Sequence, residues 1–306
     1  MKLAPTAPLP PVPASERRNA ARRIRLMPSP TVTERIVVAL LWAMAAITIA
    51  VLVFIIGYIL LHGLPHVTWS FLTESPRRMG REGGVLPMIV GTVLVTGLAV
   101  LIAAPIGVAT AVYLTEYTAE GRLTAVIRFG ADCLAGIPSI VFGLFGFVFF
   151  AITLGLGLSI LSGALTLALM VLPTIIRTSE EAIRAVPYAY REASFGLGST
   201  RWQTTLYVVL RSALPGISTG VVLSVGRSIS ETAAVMLTAG SALGLPDSLF
   251  DSSRTLALHF YYLAQENISE ANAYATAAVL VMAILAINLF AYWLMRRFIA
   301  RGGHHA

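Results

Sequence analysis

Arg227 and Glu231 are opposite charges four residues apart within the apolar stretch Leu214–Ala239. An ionisable side chain at bilayer depth costs several kcal/mol, so in a membrane chain it marks a functional site by default. The i, i+4 spacing predicts that both side chains share one helix face, about one turn apart. Arginine stays charged at any accessible pH and presents a fixed fork of donors that fits an anion's oxygens. An ionised glutamate only accepts hydrogen bonds. The same pair also suits a purely structural use, neutralising itself and fixing the packing of a bundle.

The elements that must hold this pair follow from the composition. Of 306 residues, 57% are hydrophobic and only 12% are charged, about half the charged share of a soluble domain. Uncharged runs cover 36–61, 85–114, 133–176 and 271–295. A span needs roughly 20 apolar residues, so the 44-residue run 133–176 holds two, turned at Gly155-Leu156-Gly157. With the charged-pair segment, the expectation is an all-α polytopic protein with six spans at about 36–61, 85–114, 133–154, 158–177, 204–240 and 271–295. A loop over 178–203, another over 241–270 and a short tail over 301–306 complete it. Residues 1–35 are Pro- and Arg-rich without periodicity and read as a disordered basic tail.

Six spans place both termini on one side. That side collects Lys2, six arginines from Arg17 to Arg35, then Arg122, Arg128, Arg177, Arg184, Arg191, Arg201, Arg296, Arg297 and Arg301. The other side has only Arg77, Arg78, Arg81 and Arg254. The positive-inside rule therefore puts both termini in the cytoplasm. The net charge of +7 is mostly this topology signal, and not a nucleic-acid surface. The first apolar run is too long for a secretory h-region and reads as a retained helix. Cys133 is the only cysteine, so no intrachain disulfide can form; it reads as a small apolar helix residue. Gly216 and Gly220 form a GxxxG pair suited to close helix approach. Gly136-Ile137-Pro138-Ser139 should break the third span early, which requires cover by other helices. Asn288 reads as an interhelical hydrogen-bond former. The His residues 62, 66, 259, 304 and 305 are scattered, so no metal-ligand set or metal site is expected.

The loop 178–203 reads as a short helix, a stop and a restart. Pro187 suits a helix start. Val186, Ala189, Tyr190, Ala193 and Leu197 make one apolar face at helical spacing. Gly198 is placed to end the helix in the left-handed region, and Ser199 or Thr200 can cap the next. Such an amphipathic helix suits docking into a partner's groove, and equally a connector resting on headgroups. Arg177 follows Pro173 at the same end and reads either as a topology-setting charge or as a contact for an anion at the cytoplasmic mouth.

Glu192-Ala193-Ser194 followed three residues later by Gly198 resembles the EAA loop of ABC-importer permeases. The family pattern continues with I-x-L-P; here Val208-Val209-Leu210-Arg211 stands there, with Arg211 in place of proline. The segments 83–87, 134–146, 227–233 and 256–262 are similar to those of the phosphate-importer permeases of the PstA family, in which Ser230 is usually glycine. The resemblance runs from about Gly83 to the last span. It implies the MetI-like type I importer fold and a heterodimer with a second, homologous permease (PstC-like). It also implies an ATPase dimer (PstB-like) that binds the ATP, and an external phosphate-binding protein (PstS-like). Glu192, Ala193, Ser194 and Gly198 would form the coupling helix; Arg227, Glu231 and Arg177 would border the path. Hydrogen phosphate has a proton to donate to Glu231, whereas fully ionised sulfate would meet repulsion. The only lysine is Lys2, so the chain has no P-loop and is expected to be a non-catalytic subunit without a cofactor of its own. The alternatives are a permease for another oxyanion such as phosphonate or sulfate, an ion-coupled secondary transporter, and a membrane enzyme.

Overall fold

The computed structural model describes residues 30–119 and 121–302. The expected tail up to residue 29 lies outside them, as do residues 303–306 with His304 and His305. The described residues fall into two compact units, divided between Gly57 and Tyr58. Helix α1 (Pro30–Gly63), which makes up the first unit and supplies the first residues of the second, is already formed at Pro30. Residues 30–35, expected in the tail, are therefore helical. No charge interrupts α1 after Arg35.

After α1 the second unit continues with a short helix α2 (Trp69–Thr73), capped by Thr68, whose hydroxyl accepts from the Phe71 N–H at 3.2 Å. A hairpin of two-residue strands follows, β1 (Pro76–Arg77) and β2 (Glu82–Gly83), with Pro76 opposite Gly83. Next come α3 (Leu86–Val112), continued by a π-helical turn to Tyr117, and later α6 (Ile160–Arg184). These two helices form the centre of the unit. Val95, Ala99 and Ala103 of α3 share a core with Leu167, Val171 and Ile175 of α6. Small residues let the backbones close: a Cβ on Gly107 would stand 2.7 Å from Ile175 Cγ2. In lipid, such packing replaces the hydrophobic drive that joins helices in water.

The third apolar segment differs from expectation. Helix α4 (Arg122–Ala135) ends before Gly136, and α5 (Ser139–Gly146), lengthened by a π-helical stretch to Thr153, leaves at 101°. Pro138 has no N–H to give a helix and disfavours helical backbone at Ile137. The expected 133–154 segment therefore runs from Ser139, and Cys133 belongs to α4. Cover by other helices is one-sided. Phe142, Gly143 and Gly146 are buried, while Ile140, Val141, Leu144 and Phe145 are exposed.

Helix α6 runs to Arg184, so residues 178–184 belong to it and not to a loop. A short helix α7 (Tyr188–Gly196) follows. Then α8 (Arg201–Gln203) opens with a capping box between Thr200 and Gln203 and passes through a π-helical turn into α9 (Leu210–Ile229). The glycine pair packs helices, as its spacing predicts: a Cβ on Gly216 would meet Ala182, and one on Gly220 would strike the Thr178 hydroxyl. The expected 204–240 segment is not continuous. It stops at Ile229 and resumes as α10 (Ala233–Thr238). The last two helices are α11 (Leu256–Gln265), inside the region expected as a loop, and α12 (Glu270–Gly302). Asn288 makes no hydrogen bond among the described residues; Asn272 instead donates to the carbonyls of Gly80 and Arg81. Five described helices are long and apolar enough to cross a membrane, and the segments 122–135 and 139–153, bent by 101°, add a sixth only where the two together count as one crossing.

Candidate functional site

Arg227 and Glu231 do not share a helix face. The helix ends between them. Ser230 takes the C-cap position of α9 and its hydroxyl donates to the carbonyls of Gly226 and Arg227, both at 3.1 Å. Short hydroxyl side chains compete with helical backbone bonding in this way. Glu231 then turns forward, and its carboxylate accepts from the Ala234 N–H at 3.3 Å, in the first turn of α10. Each charge sits at the helix end that favours it: a cation at a C-terminus, an anion at an N-terminus. The expected ion pair is absent among the described residues. Arg227 is exposed, with no side-chain partner among them, and Glu231 is half-buried. The site is a break carrying one available guanidinium.

The arginine-rich end is organised by ion pairs that the sequence did not announce. Glu180 of α6 is held between Arg128 at 2.8 Å and Arg184 at 2.9 Å. Arg177, expected as a mouth contact, pairs with Asp132 of α4. These groups and Glu181 line a cleft of about 250 Å³ between α4 and α6. Its three arginines are balanced by three carboxylates, so it presents no net charge to an anion. Arg177 and Asp132 are about half exposed, and a pair so exposed stabilises little.

Helix α7 is anchored from behind and open in front. Arg191 meets Glu116 at 2.7 Å, with both side chains nearly buried. It also donates to the carbonyls of Val186 at 2.8 Å and Ile183 at 3.1 Å. Ser194 is buried and its hydroxyl lies 2.8 Å from that of Thr204. The expected apolar face divides: Val186 is buried, whereas Ala189, Tyr190, Ala193 and Leu197 point outward, Leu197 being 88% exposed. Glu192 is exposed beside them. Gly198 has φ of 82°, the left-handed turn expected of it. Of the four EAA-loop residues, Glu192, Ala193 and Gly198 are at the surface and Ser194 is an internal brace.

At the opposite end, Arg254 is buried. It donates to the Ser241 carbonyl at 3.1 Å, lies 4.5 Å over the Tyr262 ring, and stands 3.5 Å from His259 Nδ1. The segment is pinned to α3, where the Thr92 hydroxyl accepts from the Leu256 N–H at 2.9 Å. Burial, reinforced by the Arg254 charge, pulls His259 down to about 4. In the folded chain it is therefore neutral, while in the unfolded chain it gains a proton below about 6.5. Stability is complete above the unfolded value and is lost as the pH falls toward 4, on the order of 3 kcal/mol in all. Thermal unfolding from pH 7.5 to 5 should show a falling midpoint for the wild type and a flatter profile for His259→Gln.

Comparison with known proteins matches this arrangement. The family described as "Binding-protein-dependent transport system inner membrane component" matches residues 103–302. The chain is 33% identical to the probable ABC transporter permease protein YqgI of Bacillus subtilis, covering 86% of this chain and 95% of that protein. It is 37% identical to the phosphate transport system permease protein PstA 1 of Mycobacterium tuberculosis, covering 81% and 83%. Among solved structures, a bacterial alginate ABC transporter in complex with its periplasmic protein aligns with TM-score 0.62 at 16% identity, over 84% of this chain and 94% of that one. The MetNI methionine transporter aligns with TM-score 0.56 at 20% identity, over 70% and 94%. The chain thus belongs to the inner-membrane components of binding-protein-dependent transport systems, the ABC-importer permeases, and within them to the PstA group.

Proposed function

We propose that this chain is the transmembrane permease subunit of an ATP-driven importer of inorganic phosphate, forming half of the translocation pathway. The observation that carries this reading is the similarity to phosphate transport permeases over most of both chains. A second, PstC-like permease supplies the other half. A PstB-like ATPase dimer binds and hydrolyses the ATP, consistent with a chain whose only lysine is Lys2. A PstS-like protein delivers phosphate from outside. The chain crosses the bacterial inner membrane several times with both termini in the cytoplasm, as the arginine distribution argues.

The roles of the residues follow. Helix α7 docks on the ATPase through its outward face of Ala189, Tyr190, Ala193 and Leu197, with Glu192 beside it. Ser194 and Gly198 set its position and its exit. Arg227 offers donors to the passing anion, and the half-buried Glu231 accepts the proton of hydrogen phosphate. Arg177 borders the cytoplasmic mouth, where its pairing with Asp132 tempers its pull on the anion. Such a pathway needs attraction weak enough to release its ion.

The test is labelled-phosphate uptake in low-phosphate cells lacking their own importer and supplied with the whole transporter. Wild-type uptake should be ATP-dependent and indifferent to excess sulfate. Arg227→Ala should lower it at least tenfold at unchanged membrane level. Normal uptake by that variant would make Arg227 structural. Absence of phosphate uptake in the wild type, with sulfate or phosphonate carried instead, would overturn the substrate assignment and leave the permease role standing.

A further inference from the structure

Helix α4 has two unlike faces. Toward α6, Thr124 and Ala131 are buried and Arg128 pairs with Glu180. On the other side Leu123, Val126 and Phe129 are 62%, 65% and 69% exposed. Their spacing, continued by Cys133 and Leu134, makes one apolar stripe. Three observations argue what covers it.

The first is depth. Asp132 and Arg128 pair with Arg177 and Glu180, so α4 lies level with the arginine-rich end of the α6 span. The second is direction. The axis of α4 is bent 101° from the apolar 139–153 segment; where that segment crosses the bilayer, α4 runs along the bilayer surface. The third is charge. Arg122 falls on the apolar stripe, four residues before Val126 and seven before Phe129, and has no side-chain partner among the described residues. Against a partner surface as apolar as the stripe itself, that guanidinium would be buried unpaired, at high cost. At a membrane surface its stem lies along acyl chains while its head reaches a headgroup. Arg201 lies 5.4 Å over the Tyr117 ring, and Trp202 and Tyr207 that follow it in sequence are exposed, the side-chain types that gather at membrane interfaces.

We propose that α4 is a surface-lying amphipathic helix of the cytoplasmic leaflet, with Leu123, Val126 and Phe129 set into the acyl boundary and Arg122 on the phosphate of an anionic phospholipid. Such helices bind through buried apolar area together with attraction to anionic lipid. This rests on the chain spanning a membrane and not on what it transports.

The experiment uses the purified transporter in nanodiscs of phosphatidylcholine and phosphatidylglycerol, in a Cys133→Ser background. Single cysteines at Leu123, Val126, Phe129 and, for comparison, Ala135, which is exposed on the opposite side of the helix, carry a fluorescent label. Lipids with a nitroxide on the acyl chain should quench the first three labels about threefold more than the fourth, and aqueous iodide should do the reverse. Arg122→Gln should at least halve the excess of phosphatidylglycerol over phosphatidylcholine retained by the protein. Quenching of all four by iodide alone would mean a solvated face and overturn the proposal. Cross-linking of the three cysteines to another subunit, without lipid quenching, would overturn it in favour of a subunit interface. Unchanged lipid retention in Arg122→Gln would remove the headgroup contact.

Discussion

Arg191→Ala should leave the membrane spans folded and release the ATPase. Its guanidinium meets Glu116 at 2.7 Å and holds the carbonyls of Val186 and Ile183. It thereby joins α7 to both the end of α3 and the end of α6. Removing one member of a nearly buried pair strands the other charge and costs roughly 3–5 kcal/mol. Here that loss falls on a nine-residue helix, too short to hold its shape without packing. Co-purification of the ATPase with the permease should fall at least tenfold, while the span-dominated thermal transition shifts little. Glu116→Gln should be milder, since the amide oxygen still accepts from Arg191. If Arg191→Ala retains the ATPase at the wild-type ratio, α7 is not the docking element.

Gly220→Val should prevent assembly of the bundle itself. A Cβ at this position runs into the Thr178 hydroxyl and lies 2.7 Å from Thr178 Cβ. Thr178 cannot swing clear easily, because its hydroxyl donates to the Thr174 carbonyl at 2.9 Å. Overpacking of this kind costs about 1–3 kcal/mol where the surroundings can yield, and more where backbones are in contact. The protein level in membranes should drop severely for Gly220→Val and by less for Gly220→Ala. Making room opposite, with Gly220→Ala and Thr178→Gly together, should recover much of the loss. A double variant no better than Gly220→Ala alone would place the damage elsewhere.

How much of this was readable in the sequence depended on the range of the interaction. The apolar length of each long helix, the left-handed turn at Gly198, the Thr200 cap and the small-residue face of the GxxxG pair are set by residues within a few positions of one another. Composition and spacing reported them. The Arg227–Glu231 spacing misled for a local reason too: the i, i+4 rule holds only inside a continuous helix. Ser230 ends this one by bonding its own preceding turn, a signal that was present but outweighed by the apolar run around it. The pairing of Arg177 with Asp132, 45 residues away, and of Arg191 with Glu116, 75 away, had no trace in spacing. Long-range ion pairs are decided by how helices cross. The apolar face on α7 was legible, but its outward direction was not, since periodicity says that a face exists and not which way it turns.

The two helix breaks have a joint consequence. Helix α5 follows the break at 136–138, α10 follows the break at 230–232, and the two press against each other. A Cβ on Gly143 would meet the Ala234 backbone at 2.9 Å, and one on Gly146 would strike both Thr166 and Thr238. Contacts with so little slack transmit displacement instead of absorbing it. Mechanically, α5 and α10 form one block bounded by two breaks in the helical backbone. The segment after the first break and the segment after the second are thus wedged together through Gly143 and Gly146, and a displacement of one is expected to carry the other with it.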